Sequence, residues 1–196
     1  MEVELMKNSQ YCESKKLGFG FDVSKLQRDI EKLNFQNFEY YNVIPLRSPA
    51  HLVDESLPFP ESVTDFADGT WTDWMDTPAL SQSPYLMEVI NYFRQFTTVN
   101  LVRLLRLAPG AIVQEHKDPT LGLEQEKSMI RLTIPIQGTE GVHFWLNDKI
   151  VPMALGECWY LRLSDPHRVA NRSDKERINL TIDIIPNDWV FQQMVE

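Results

Sequence analysis

The stretch Asp165–Arg177 reads DPHRVANRSDKER and contains a histidine, His167, followed ten positions later by Arg177. Arg177 opens the strand-like segment RINLTID. Fifty-one residues before His167 stands the triplet His116-Lys117-Asp118. A fold that brings these separate pieces together would create a compact polar site.

The first candidate site is a metal centre. His116 and Asp118 are two residues apart, and side chains at this spacing point to the same face of an extended segment. His167 would add a third ligand from a distant strand. Two histidines and one carboxylate on one face leave open positions, which suits non-haem Fe(II) in enzymes that use O₂. An HxD triplet also occurs by chance, and a lone histidine is more often an ordinary residue.

Arg177 strengthens the metal interpretation because it fills a separate chemical need. The open positions on the iron would hold a 2-oxo acid and then dioxygen. A dicarboxylate co-substrate also needs a cation at its far end, and a guanidinium grips a carboxylate bidentately while staying charged.

Several motifs resemble those of the aspartyl/asparaginyl β-hydroxylases, a family of cupin-fold, Fe(II)/2-oxoglutarate dioxygenases. The similarity is closest to the branch that contains bacterial free L-proline hydroxylases. The matching pieces are RLLRLAPGAIVQEHKD (103–118), IRLTIPI (130–136), GECWYL (156–161), PHRVANRS (166–173), RINLTIDI (177–184), NDW (187–189) and, more weakly, NVIPLRS (42–48).

The resemblance implies that His116, Asp118 and His167 bind the iron and that Arg177 binds the distal carboxylate of 2-oxoglutarate. Arg131 stands where the family keeps a second anion-binding arginine. Because Asp118 occupies the position that a halogenase leaves for chloride, hydroxylation is favoured over halogenation. The chain departs from the family at Thr133, where a histidine is frequent. It also stops soon after residue 189, whereas the proline hydroxylases continue into a helical extension.

Composition limits the class of protein. A chain of 196 residues predicts one domain, 1–196, with a substantial core, and 43% of its residues are hydrophobic. Two cysteines make no disulfide framework, no apolar run is long enough for a membrane span, and the N-terminus lacks the form of a signal peptide. These features predict a cytoplasmic protein. The net charge of −9 argues against a nucleic-acid partner, and the oligomeric state stays open.

Short strands separated by turns predict a mainly β fold, specifically a double-stranded β-helix of the jelly-roll, cupin-like type with two or three supporting N-terminal helices. Residues 1–17 are predicted to be poorly ordered or an edge strand. One helix is expected from a capping box at Ser24–Gln27 to about Leu33. A second begins at Ser83-Pro84.

Residues 54–82 are predicted to form a long loop. Its part from Asp54 to Asp76 holds seven acids and no Lys or Arg. The segment is either a solvated loop or an acidic lip that favours a cationic substrate, and it is a candidate lid. Trp71 and Trp74 would cover the substrate or else fix the loop to the surface.

The candidate substrate contacts are arginines and their neighbours. Arg103 and Arg106 are three apart on one predicted strand, so that at most one points into the barrel and the other forms an outer salt bridge. Arg47 and Ser48 follow another strand, where an exposed strand end is the alternative.

The predicted activity is hydroxylation of an unactivated C–H bond in a free amino acid or small amino-acid derivative, with Fe(II), 2-oxoglutarate and O₂. The first alternative is a hydroxylase of an Asp, Asn or other residue within a peptide, and a natural-product intermediate also remains open. The second alternative is a non-enzymatic cupin that binds a metal or small ligand. Arg177 argues against that last class, because simple metal binding does not need it.

Overall fold

The computed structural model describes residues 12–60, 73–123 and 129–194. Eleven strands and four α-helices lie in these ranges. The strands are β1 Ser14–Gly20, β2 Tyr41–Pro49, β3 Trp74–Asp76, β4 Val99–Leu107, β5 Ile112–His116, β6 Ile130–Gln137, β7 Val142–Leu146, β8 Lys149–Ile150, β9 Glu157–Leu161, β10 His167–Asn171 and β11 Arg177–Ile184. The helices are α1 Val23–Glu31, α2 Pro78–Ser81, α3 Pro84–Arg94 and α4 Asp188–Met194, and Ala50–Leu52 forms a 3-10 turn.

Two antiparallel sheets face each other, which confirms the predicted jelly roll. The larger sheet has the order β1-β9-β6-β11-β4-β2-β3, and the smaller has the order β5-β10-β7-β8. The central strand β11 pairs with β4 on one side and β6 on the other. Its eight residues are all buried, because helices cover its outer face and the smaller sheet covers its inner face.

The outer face of the larger sheet carries the main apolar core. Ile178, Leu180 and Ile182 of β11 pack there with residues of α1 and α3. The intervening positions Arg177 and Asn179 point to the opposite, inner face. Because side chains alternate along a strand, the apolar core fixes the direction of this polar set.

The first turn of α3 is capped from another helix. Ser83 occupies the predicted N-cap position, but its hydroxyl donates to the carbonyl of Ala79. The carboxylate of Asp29, buried in α1, instead accepts the backbone N–H groups of Tyr85 and Leu86 at 2.7 and 2.9 Å. This contact joins the two helices that cover the sheet.

The predicted start of the first helix was wrong. α1 begins at Val23 with Asp22 as its N-cap, and the Asp22 carboxylate accepts from the Lys25 N–H. The predicted cap, Ser24, lies inside the helix. Gln27, the expected partner in the capping box, instead donates to the carbonyl of Ile136 in the sheet at 2.9 Å. A tertiary contact therefore takes the side chain that the local motif would have used.

The long loop predicted over 54–82 contains regular structure in its described part. β3 pairs with β2 so that Arg47 lies opposite Asp76, and these two residues form a salt bridge of 2.6 Å. Thr77 caps α2, which has Pro78 in its first turn. Residues 61–72, with Trp71, lie outside the described residues, and the lid stays a prediction.

Cys12 and Cys158 form no disulfide, and Cys158 is fully buried. Burial raises the pKa of the Cys158 thiol well above its usual value, so the reactive thiolate is scarce at neutral pH. We expect Ellman's reagent to label no more than one thiol per native chain and both after unfolding in denaturant. The variant Cys158→Ala should leave native labelling unchanged. Rapid labelling of two thiols in the native protein would contradict the buried position.

Candidate active site

A cavity of about 240 Å³ lies between the two sheets. The larger sheet supplies its polar wall, with Arg103, Arg131, Thr133, Arg177, Asn179 and Thr181. The smaller sheet supplies Val113, Phe144 and Val169, and the end of β9 with the segment that follows it supplies Leu161 and Leu163. His116, Asp118 and His167 also line the cavity. The cavity therefore combines a cationic wall, an apolar wall and a group of metal-ligating side chains.

Strand pairing explains why the two histidines meet. β10 runs antiparallel to β5, and His167 lies directly opposite His116 in this pairing. Their ring centroids are 4.2 Å apart. One cross-strand pair therefore brings together two histidines that are 51 positions apart in sequence.

Asp118 reaches the site by a different route from the one its spacing predicted. β5 ends at His116, so that strand alternation does not extend to Asp118. The Asp118 N–H instead donates to the carbonyl of Leu163 at 2.9 Å. This backbone bond holds the carboxylate beside the histidines, with Oδ2 of Asp118 lying 3.8 Å from Nε2 of His167.

The three side chains offer a suitable donor set for a metal ion. One ligand atom from each of His116, Asp118 and His167 lies within 4.8 Å of the others. Metal–ligand bonds of about 2.0–2.2 Å place neighbouring ligand atoms of a facial set about 3 Å apart, so the three side chains would draw together around a bound ion. Two imidazoles and one carboxylate match the facial triad that leaves positions open on non-haem iron.

Both histidines are oriented by backbone carbonyls. Nδ1 of His116 lies 2.8 Å from the oxygen of Gln114, and Nδ1 of His167 lies 2.9 Å from the oxygen of Asp165. A carbonyl oxygen only accepts, so each Nδ1 carries the proton and each Nε2 keeps its lone pair. Burial lowers the pKa of His167. The neutral form that a metal requires is therefore favoured.

Arg177 is buried, with 6% of its surface exposed. No salt bridge joins it to a carboxylate within residues 12–60, 73–123 and 129–194. In the hydrogen-bonding orientation of the Asn179 amide, the Asn179 oxygen accepts from Arg177. Burial lowers the pKa of Arg177 to about 10. A guanidinium placed here is costly to the fold, and an anionic ligand would offset that cost.

Arg131 differs from Arg177 because its charge is already balanced. It makes two bonds to Asp183, Nε to Oδ1 at 2.7 Å and Nη2 to Oδ2 at 2.8 Å. Its remaining nitrogen, Nη1, lies 3.5 Å from Oδ2 of Asp118. Arg131 therefore contacts the candidate metal site as well as the cavity.

The predicted substrate residues separate into two groups. Arg103 lines the cavity, while Arg106 lies on the opposite face of β4, as the three-residue spacing requires. Arg106 pairs with Glu176 at 3.0 Å and stacks on Phe35 and Phe38. It therefore contributes to structure at a distance from the cavity.

The other candidates also lie outside the cavity. Arg47 is held by Asp76 and by the carbonyl of Val99, and Ser48 is buried. Trp74 is half-buried in β3 at the edge of the larger sheet. None of the three is among the cavity-lining residues of the described chain.

Tyr41 lines the cavity and was not anticipated from the sequence. As a whole residue it is 40% exposed, but desolvation at its hydroxyl raises the pKa of Tyr41 despite the positive charges of Arg103, Arg131 and Arg177. Tyr41 therefore shares the cavity with these three arginines. The only available signal in the sequence was its position on β2. Tyr41 lies two residues before Val43, which also lines the cavity.

A family model described as aspartyl/asparaginyl β-hydroxylase matches residues 69–186, more than half of the chain. The chain belongs to the aspartyl/asparaginyl β-hydroxylase family. The matched range contains the three candidate metal ligands and the arginines Arg103, Arg131 and Arg177 of the larger sheet. The predicted family is thereby confirmed.

One similar protein is an L-proline cis-4-hydroxylase from Rhizobium meliloti (strain 1021), which is 32% identical over 107 residues. This match covers 55% of the present chain and 37% of the hydroxylase, so the chain spans much less than that relative's full length.

Solved structures with the same fold include a 2OG-Fe(II) oxygenase family oxidoreductase from Burkholderia pseudomallei, with a TM-score of 0.59 and 13% identity over 93% of this chain and 87% of the other. Another is the non-heme alpha ketoglutarate dependent carbocyclase SnoK from nogalamycin biosynthesis, with a TM-score of 0.56 and 10% identity over 94% and 84% of the two chains. At sequence identities this low, the similarity shows a shared fold alone. None of the described helices is long and apolar enough to cross a bilayer.

Proposed function

We propose that the protein is an Fe(II)- and 2-oxoglutarate-dependent dioxygenase that hydroxylates an unactivated C–H bond of a free amino acid or small amino-acid derivative. One observation carries this proposal. A metal-ligating group of two histidines and a carboxylate shares a cavity with Arg177, a buried cation that no described carboxylate neutralises.

Each part of the site has a chemical task. His116, Asp118 and His167 would hold the iron, with both imidazoles fixed through Nδ1. Arg177 would bind the distal carboxylate of 2-oxoglutarate, and Tyr41 lines the same cavity. With iron bound, the site would use O₂ to convert the C–H bond to an alcohol and 2-oxoglutarate to succinate and CO₂. The apolar wall formed by Phe144 and Val169 would exclude water during this reaction.

The cavity also supports a small, carboxylate-bearing substrate. Its volume of about 240 Å³ is below the roughly 300–1,000 Å³ that is usual for sites of drug-sized ligands. Arginines dominate its polar wall, and this arrangement favours anionic groups. A free amino acid presents a carboxylate at little cost in volume. The similarity to the L-proline cis-4-hydroxylase also supports a free amino acid as the substrate.

The test is a succinate-release assay with Fe(II), ascorbate and 2-oxoglutarate over a panel of free amino acids, amino-acid amides and peptides. We expect substrate-dependent succinate with at least one free amino acid and much less with its amide. Release only with peptides that contain Asp or Asn would favour the peptidyl alternative, which the family description supports. If the protein bound metal but released no succinate above background with any compound, a non-enzymatic ligand-binding role would replace the proposal.

A further inference from the structure

Asp183 is a buried acid that holds two arginines of the cavity's charged wall, Arg103 and Arg131. It is 1% exposed and lies on β11 directly opposite Arg131 of β6. Both carboxylate oxygens are engaged by Arg131, at 2.7 and 2.8 Å. Arg103 of β4 approaches Oδ2 of the same carboxylate at 3.9 Å. One acid thus holds two arginines from the two neighbouring strands.

The pair formed by Asp183 and Arg131 continues to the candidate metal site. Oδ2 of Asp118 lies 3.5 Å from Nη1 of Arg131 and 3.8 Å from Nε2 of His167. The same oxygen therefore faces both a guanidinium and the ligand atom of a histidine. A guanidinium that paired fully with Asp118 would compete directly with a metal ion for this oxygen.

The orientation of Arg131 decides which of these contacts forms. Two short bonds to Asp183 use Nε and Nη2 of Arg131 in the bidentate geometry that carboxylates prefer. Only Nη1 is left toward Asp118, at a distance too long for a hydrogen bond. Burial lowers the pKa of Arg131, but the Asp183 carboxylate raises it more, so Arg131 stays charged.

We propose that Asp183 is a positioning residue of the metal site. By engaging Arg131 bidentately, it limits this guanidinium to a long ion pair of 3.5 Å with Asp118 and leaves the Asp118 oxygen available to the metal. Asp183 acts only through Arg131 and touches neither metal nor substrate. This inference rests on the proposed iron site and adds to it a residue that neither the sequence motifs nor the resemblance identified.

The variant Asp183→Asn keeps the shape of the side chain but removes its charge. Arg131 then loses its partner, and the nearest remaining carboxylate is Asp118. We expect the affinity for Fe(II), titrated anaerobically without 2-oxoglutarate, to fall at least about tenfold, the lower end of the effect typical of partners that orient metal ligands.

The double variant Asp183→Asn/Arg131→Gln separates positioning from general damage. It removes the acid together with the competing cation, so the Fe(II) affinity should return to within about threefold of the wild type. A merely structural role for Asp183 predicts instead that folded Asp183→Asn binds Fe(II) as the wild type does, because an unpaired buried arginine then costs stability and not metal affinity. The readout is metal affinity, so any role of Arg131 toward 2-oxoglutarate does not enter.

Asp76 provides a matched control. It also holds two arginines, Arg47 and Arg94, but it is not among the cavity-lining residues. Asp76→Asn should bind Fe(II) as the wild type does. A loss equal to that of Asp183→Asn would show a general effect of an unpaired arginine and would overturn the proposal.

The outcomes are distinguishable. If the wild type binds no Fe(II), the proposed function fails and the inference fails with it. If the wild type and Asp183→Asn bind Fe(II) equally, or if the double variant stays as weak as the single one, only the positioning role is overturned. An uncompensated buried arginine can also prevent folding. Should Asp183→Asn not fold, the double variant decides: affinity near that of the wild type supports the proposal, and a tenfold loss overturns it.

Discussion

Replacing His167 by alanine is expected to abolish turnover and stoichiometric Fe(II) binding while the two sheets remain folded. His167 is buried in the cavity wall, and its Nε2 lies among the three candidate ligand atoms. Removing a direct ligand should reduce metal affinity by more than the 10–100-fold typical of residues that only support ligands. His116→Ala and Asp118→Ala should have the same effect. Anaerobic calorimetry with Fe(II) measures the binding, and circular dichroism reports the fold.

His143 supplies the matched control for this experiment. It lies on β7, the strand next to β10, and its register partner is Ala170 of β10. It belongs neither to the metal-ligating group of the described chain nor to the cavity lining. His143→Ala should therefore bind Fe(II) normally. If the triple variant without His116, Asp118 and His167 still bound one Fe(II) and turned over, the assignment of the ligands would be wrong.

The second large effect concerns Arg177. Arg177→Met should raise the KM for 2-oxoglutarate by about 30–150-fold, because a charge-assisted anchor contributes on the order of 2–3 kcal/mol. Fe(II) affinity should change little, since Arg177 is not among the three ligands. Steady-state kinetics in 2-oxoglutarate and metal titration separate these two quantities. An unchanged KM would move the anchor to another cation, with Arg131 the next candidate.

The same variant should have an opposite effect on stability. Burial depresses the pKa of Arg177 to about 10, so the folded state disfavours the charge that the unfolded chain carries freely. For a base with a depressed pKa, this cost is fully present at neutral pH and is relieved only as the pH rises above about 10. Arg177→Met removes the cost, and we expect the ligand-free variant to melt no lower than the wild type. If Arg177 served only to stabilise the fold, the Arg177→Met variant would instead have a lower melting temperature and an unchanged KM for 2-oxoglutarate.

Much of the fold follows from local pattern. β11 begins at Arg177, as the strand-like segment RINLTID predicted, because its apolar positions alternate with residues that face the cavity. The three candidate metal ligands could be predicted because histidine and aspartate are residue types that bind metals. His116 and His167 are 51 positions apart in sequence. Only the jelly-roll topology brings them together, and the family resemblance supplied that topology.

The features that were missed depend on tertiary contacts. Gln27 completes a capping motif in the sequence, but its side chain instead donates a hydrogen bond to the carbonyl of Ile136 in the sheet. β3 is only three residues long and exists because it pairs with β2. Helix α4 follows the last family motif and was not predicted. For such elements the partner lies far away in sequence, so local propensity gives little information.

The position of Asp183 could be predicted from the sequence only in part. It continues the alternate positions Arg177, Asn179 and Thr181 on the inner face of β11, so its direction could have been predicted from the period of two. What the sequence did not reveal was its partner, because the register between β6 and β11 decides which arginine lies opposite. The direction of a side chain follows from its own strand, whereas its pairing requires the neighbouring strand.

The central claim is that one cavity binds Fe(II) through His116, Asp118 and His167 and binds 2-oxoglutarate through the metal and Arg177 together. The most direct test is an anaerobic calorimetric titration of the wild-type protein with Fe(II), followed by 2-oxoglutarate, with each titration repeated in the reverse order. The account predicts one Fe(II) per chain and one 2-oxoglutarate that binds tightly only after the metal is present. Tight binding of 2-oxoglutarate to metal-free protein, or the absence of stoichiometric Fe(II) binding, would contradict it.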